Sequence, residues 1–409
     1  MADRQDNDGS IAPGRPGRRC LAAVAIALAM AFMAGGVGSN ASAMTLTTEP
    51  IERPESAGKA LASVPRLRLT GVLEPGDSDR VRDILERLRS RGKSDGGELA
   101  TIELDSAGGT LEEGLRIGRL FRQFGVTTIV RSKARCLSAC ALAFLGGAAV
   151  EAGRIVPSRR LEIGGRLGFH AFYAGREDRS ADAAASRARG VAEGRAASAM
   201  IIAYAVEMGA DSGLIARALI RPPEDMTYII RVREFAALNV CPMGLDRPRL
   251  ALIEQAVNLC SNATAGLLTQ WTDLVHEYTA REARNLLLGE VSRSITAANV
   301  RKGLGARLEE IMRSGNETAK DLAYGELAAA GIALPVLQDK AFHMEDARLG
   351  PHTFECLASL SPHEQGAYGV ALITPRGVVA PPHVAPPSCP ALFLYAPDEL
   401  INLRADLER

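Results

Sequence analysis

The chain has 409 residues, and at about 150 residues per domain it holds material for two or three domains. Apolar residues make up 47% and charged residues 23%, an ordinary globular mixture with enough apolar surface for a buried core. Lysine plus arginine equals aspartate plus glutamate at 48 each, and aromatics are only 4%, so neither a basic field nor stacking rings are on offer and no nucleic-acid partner is expected.

Residues 1–43 read as an export signal. Arg15, Arg18 and Arg19 form a positive flank before the apolar run Leu21 to Val37, and Ala41 and Ala43 supply an A-x-A site with cleavage before Met44. The 17-residue run falls short of the roughly 20 residues that span a bilayer comfortably. The competing reading is an uncleaved anchor through residues 21–37, which would be the only membrane attachment. Either way the body is expected to work outside the cytoplasm, periplasmic or secreted. Of the seven cysteines, Cys20 leaves with the signal. Cys136, Cys140, Cys241, Cys260, Cys356 and Cys389 remain, and six cysteines permit fifteen pairings, among which the spacing does not choose.

Residues 44–64 are polar and unpatterned and read as a linker. Arg66 to Val72 alternates as a short strand, and Asp77-Ser78-Asp79 can cap a helix with Val81, Ile84, Leu85 and Leu88 on one face. A second strand, Ala100 to Leu104, leads through the turn Asp105 to Gly109 to a helix capped by Thr110 and stopped by Gly125. Val126 to Val130 is a β-branched third strand, followed by a basic link, a small-residue helix from Ser138 to Leu145 and a strand from Arg166 to His170. Alternation of strand and helix predicts βαβ units and an α/β domain over residues 65–245 with a mainly parallel sheet. Residues 181–208 are alanine-rich and helical, and another strand–helix unit ends near Val240. A helical region is expected over 246–335, then a small C-terminal region, 336–409, with a hairpin-like segment (VALITPRGVV) and a proline cluster.

Three strand ends carry possible chemistry. In LDSAGGT, Gly108 and Gly109 let backbone approach closely and free N–H groups at a helix start, which suits a phosphate or a developing oxyanion. The turn fits neither dinucleotide nor P-loop patterns, so no nucleotide and no cofactor is implied. Ser138, in the expected first turn of its helix, can serve as a nucleophile with the Ala139 amide as oxyanion donor, or merely as a cap. His170, 32 residues later, ends an apolar strand where open α/β sheets place their sites; alone it could equally be a core histidine. Parallel strand ends converge, so the three can meet as the parts of an acyl-transfer site. Cys136 and Cys140 flank Ser138 and could pack beneath it, join disulfides, attack as thiols or bind metal. His343, His352 and His363 lie near Glu355 and Cys356, but the spacing fits no compact metal pattern, and no metal is expected.

In this order, the stretches LDSAGGTLEEG, SACALAFLGG and GRLGFHAF resemble the Clp protease proteolytic subunit and its crotonase-like superfamily. The pairing of RCLSACA with LGFHAF looks like that of the exported Clp-protease-like proteins of bacteria. The resemblance covers about Arg66 to Val240. It implies a crotonase/Clp-protease-like fold of repeated β-α units, a homo-oligomer, a peptide or protein substrate, Ser138 as nucleophile and His170 as general base. The acid it implies is Asp225, with Glu224 and Asp211 as weaker matches. The sequence departs from the family in Ala107, where a proline is usual, in the cysteines around Ser138, and in a longer Ser-to-His interval read as an insertion at RRLEIGG. No lysine follows Ser138 in the matching region, and Lys133 precedes it as a poor candidate base. Acyl-CoA chemistry, also found in the superfamily, does not fit an exported chain. The reading is an exported serine hydrolase; the alternative is an inactive fold serving as a binding or assembly module in the cell envelope.

Overall fold

The computed structural model describes residues 42–49, 64–91, 97–171, 183–222, 225–264, 275–297, 302–349, 352–363, 367–385 and 389–403. The chain divides into Met1–Asn40 and Ala41–Arg409, and every described residue belongs to the second unit. The export segment and anchor therefore lie outside the described residues, as does Glu224. Among the described residues no helix is long and apolar enough to cross a membrane.

In chain order, β1 (Thr45–Glu49), β2 (Arg66–Thr70) and α1 (Asp77–Arg91) lead to β3 (Ala100–Asp105), α2 (Leu111–Phe124) and β4 (Val126–Val130). β5 (Arg135–Leu137), α3 (Ala139–Phe144), β6 (Ala148–Glu151), β7 (Arg154–Pro157), β8 (Arg159–Glu162) and β9 (Arg166–Phe169) follow. Then come α4 (Ala183–Glu207), α5 (Ser212–Ile220), β10 (Thr227–Tyr228), α6 (Val232–Ala237) and β11 (Val240–Met243). The remainder holds α7 (Leu252–Ala263), β12 (Val275–Thr279), α8 (Ala280–Ala297), α9 (Lys302–Ser314), α10 (Glu317–Ala329), β13 (Lys340–Leu349), β14 (His352–Leu360), β15 (Tyr368–Thr374) and β16 (Gly377–Val379).

The result is a mixed α/β protein. Its six-stranded sheet runs β1-β2-β3-β4-β8-β11, parallel throughout except for β1. β4 is buried along its whole length, as a strand covered on both faces must be, and its two threonines are satisfied: Thr128 Oγ1 donates to Phe144 O, and Thr127 pairs with the Ser158 hydroxyl. Gly125 ends α2 in the left-handed conformation, φ 67°. Thr110 stands at the start of α2 in extended conformation, but its side chain makes no cap bond.

Several sequence expectations need correction. The stretch read as a linker carries β1, whose threonine-rich TLTTE pairs with β2 over five residues and seats Met44 in the core. RRLEIGG, read as an insertion, carries a strand of the central sheet: Arg159–Glu162 is β8, between β4 and β11. Of its two inward residues, Arg159 and Leu161, the first is an arginine, which hides the apolar alternation. Arg159 is wholly buried, its Nη1 donates to Leu238 O at 2.5 Å and its Nη2 to Met208 O, and burial lowers its guanidinium to about 9. Replacing Arg159 with methionine would strand both carbonyls, and we expect a loss of about 2–4 kcal/mol in a denaturant melt.

The C-terminal half carries α7 to α10 and, beside them, a sheet of which the sequence shows only the VALITPRGVV hairpin. β12 through β16 form a five-stranded antiparallel sheet. One face joins the main core through Phe342, Met344, Cys356, Ala358 and Leu360, and the other packs Ala341, Leu357 and Ala371 against Ala283 and Leu287 of α8. Burial on both faces removes the alternation that would have announced the central strands β13 to β15. The chain end then returns to the first sheet's region. Asn402, fully buried, accepts from Gly164 N and donates to Gly165 O, disulfide Cys241–Cys389 ties the two halves, and Cys260–Cys356 joins α7 to β14 within the second.

Candidate active site

β5 and β9 run parallel in the register Cys136↔Leu167 and Leu137↔Gly168, with β10 on the far side of β9. This brings Ser138 and His170 to the same strand end, and Ser138 N donates to Gly168 O at 3.0 Å. The turn after β3 is stitched to β5 by Ser106 N to Arg135 O at 2.7 Å and Leu137 N to Ser106 O at 3.1 Å. Three strand ends thus open on one cavity of about 850 Å³, whose lining includes Leu73, Gly109, Thr110, Ser138, His170 and Met200.

Ser138 precedes α3 rather than lying in its first turn. Its backbone, φ 57° and ψ −124°, is one of the few non-glycine positions with positive φ. Such a conformation costs of order 1–3 kcal/mol and persists only where the surroundings enforce it. Gly108 is part of that enforcement. At φ 107° it lies so close that an added Cβ would sit 2.7 Å from Leu137 O and 2.8 Å from Ser138 Cβ. Gly108→Ala is therefore expected to push Ser138 out of place and to lower any activity at this serine by about 10²-fold or more, measured as turnover or probe reactivity.

The half-buried Ser138 hydroxyl has no hydrogen-bond partner among the described residues. His170 Nδ1 lies 2.7 Å from Ala171 O. A carbonyl only accepts, so in the neutral ring Nδ1 carries the proton and Nε2 is the basic nitrogen. No hydrogen bond joins Ser138 to His170, although both side chains line the cavity.

The backbone donors sort themselves by what they already bond. Gly108 N donates to Ser106 Oγ at 3.0 Å, which removes it from the expected oxyanion set. Gly109 N and Ala139 N make no such bond among the described residues. Gly109 is turned by the bridge to Leu73, which uses Gly108 O and Thr110 N and so directs the Gly109 N–H away from Leu73.

The expected acid is a second correction. Asp225 is partly exposed and accepts from Arg221 Nη1 at 3.1 Å, four residues back, so it does not support His170. Asp211 caps α5 by accepting from Leu214 N at 2.6 Å. Lys133 is exposed and does not line the cavity.

Cys136 and Cys140 are joined in a disulfide, which leaves neither a thiol to attack nor a metal ligand. Cys356 is spent likewise on Cys260, and buried His343 is bonded through Nε2 to Glu355 at 2.8 Å. Among the described residues no group of three side chains is arranged to hold a metal ion. Sequence reasoning did not foresee that α4 contributes Glu193 and Met200 to the cavity, beside Glu74 and Glu112. The alanine-rich helix carries no periodicity that would orient these side chains.

No family model matches the chain, and no curated protein sequence matches it. A solved structure, that of a point mutant of ClpP1 from Listeria monocytogenes, is similar to it at 16% identity, over 40% of this chain and 81% of that one, with a TM-score of 0.30.

Proposed function

We propose that the chain is an exported serine hydrolase acting on peptide bonds. The observation that carries this reading is Ser138 itself, held at positive φ between β5 and α3, with an unengaged hydroxyl in the cavity that His170 also lines. Ser138 Oγ attacks the substrate carbonyl while its proton passes to His170 Nε2. The Gly109 and Ala139 amides receive the oxyanion. His170 then returns the proton to the leaving amine, and water releases the acyl group by the same steps in reverse. The Ala171 carbonyl fixes the tautomer, a task that a carboxylate performs in many serine hydrolases. Three disulfides favour an oxidising compartment and thus export.

The test is treatment of the mature protein with a fluorophosphonate probe and mass mapping of the adduct. A phosphonylated Ser138 is expected. A wild-type chain that takes up no probe would overturn the reading in favour of a binding or assembly module, which the missing Ser138–His170 bond and the Asp225–Arg221 pair would then suit.

A further inference from the structure

The Cys136–Cys140 disulfide brackets the nucleophile. Cys136 is the middle residue of β5, Cys140 the second residue of α3, and Ser138 lies midway between them. The bond therefore joins the strand that leads into the strained residue to the helix that leaves it. Both cysteines are essentially unexposed, whereas Ser138 faces the cavity. The hinge is thus clamped from beneath while the hydroxyl is presented above.

Loop length separates this bond from the other two. Its partners are 4 residues apart, against 96 for Cys260–Cys356 and 148 for Cys241–Cys389. Constraint of the unfolded chain grows with loop length, so this cross-link contributes least to global stability. What it constrains is local. In this five-residue segment Cys136 and Leu137 are held by pairing with β9 and by Leu137 N on Ser106 O, whereas Ser138 itself, at φ 57°, is held by Ser138 N on Gly168 O, Leu142 N on Ser138 O and the pressure of Gly108.

We infer that the Cys136–Cys140 disulfide is a positioning element for Ser138, so that the site is assembled only once this pair has been oxidised. The inference rests on the serine-hydrolase reading above. In the step itself the two thiols form one S–S bond and pass two electrons and two protons to the disulfide of an oxidant, which leaves as two thiols. Burial of both sulfurs shields the finished bond from later exchange. A chain still reduced before export is accordingly latent, and oxidation during folding switches it on.

The test compares wild type with Cys136→Ala/Cys140→Ala, and with Cys136→Ala/Cys140→Val in case the first leaves too large a void. Fluorophosphonate labelling of Ser138 is followed over a range of probe concentrations, and amide hydrogen exchange is read over residues 136–145. Expected are a maximal labelling rate at least 10²-fold lower, a half-saturating probe concentration within about twofold, and faster exchange confined to that segment. A merely structural bond would not split the two labelling constants. Labelling and exchange equal to wild type would overturn the inference while leaving the hydrolase standing. If wild type itself takes up no probe, the hydrolase reading fails, and unchanged exchange in the variants would remove the positioning role as well. Failure of both variants to fold would assign the bond to global stability and overturn the inference.

Discussion

Ser138→Ala is expected to lower peptide or ester turnover by on the order of 10⁴-fold or more, with the thermal midpoint almost unchanged. The two halves of that expectation have separate causes. In the proposed mechanism the Ser138 oxygen forms the acyl bond, and the described residues offer no replacement nearby: Cys136 and Cys140 are oxidised, and Thr110, which also lines the cavity, has no assigned base. Stability hardly enters, because the hydroxyl makes no hydrogen bond among the described residues and Cβ is retained. His170→Ala should cost a comparable factor, and the double variant little more than either, since groups acting as one unit are not additive. Measurement requires steady-state turnover of all three variants beside circular-dichroism melts. Additive losses, or turnover surviving in Ser138→Ala, would place the chemistry elsewhere.

How much of this could be read from the chain varies with the physics behind each feature. The βαβ succession from Arg66 to Val130 is visible because its signals are local: β-branched residues in β4, helical spacing in α2 and a left-handed glycine at position 125. The turn Thr374–Gly377 between β15 and β16 is visible for the same reason. β8 is not, because one of its two inward residues is Arg159, whose carbonyl partners lie 49 and 79 residues further along. β5 has three residues, too few to show a period. At the site the same division holds. Which residue types stand at the strand ends is written in the sequence, but what each has already bonded is not. Gly108 loses its amide to Ser106, and Asp225 is captured by an arginine four residues back. The cavity's α4 wall belongs to an alanine-rich helix whose orientation only tertiary packing decides.

Removing the Cys241–Cys389 bond is expected to cost up to about 5 kcal/mol, because a loop of this length takes the most entropy from the unfolded chain. The partners are 148 residues apart, and between them lie α7 and the whole five-stranded sheet with its helices. In the folded protein the bond pins β11, which among the described residues stands at the sheet edge beside β8, to the segment that enters the 3₁₀ turn Pro390–Leu394. That segment has other holds: Leu392, Phe393 and Leu394 are buried, Asn262 Nδ2 donates to Phe393 O and Tyr395 O, and Asn258 Nδ2 donates to Leu394 O at 2.9 Å. Cys241→Ser/Cys389→Ser should therefore still fold, with a thermal midpoint lower by on the order of 5–10 °C. Below that midpoint the labelling rate at Ser138 should equal wild type, since neither cysteine lines the cavity. This is the opposite signature from the Cys136–Cys140 pair, where the rate falls and the midpoint moves little. A midpoint within one degree of wild type would show that these local contacts, not the covalent closure, hold the C-terminal segment in place.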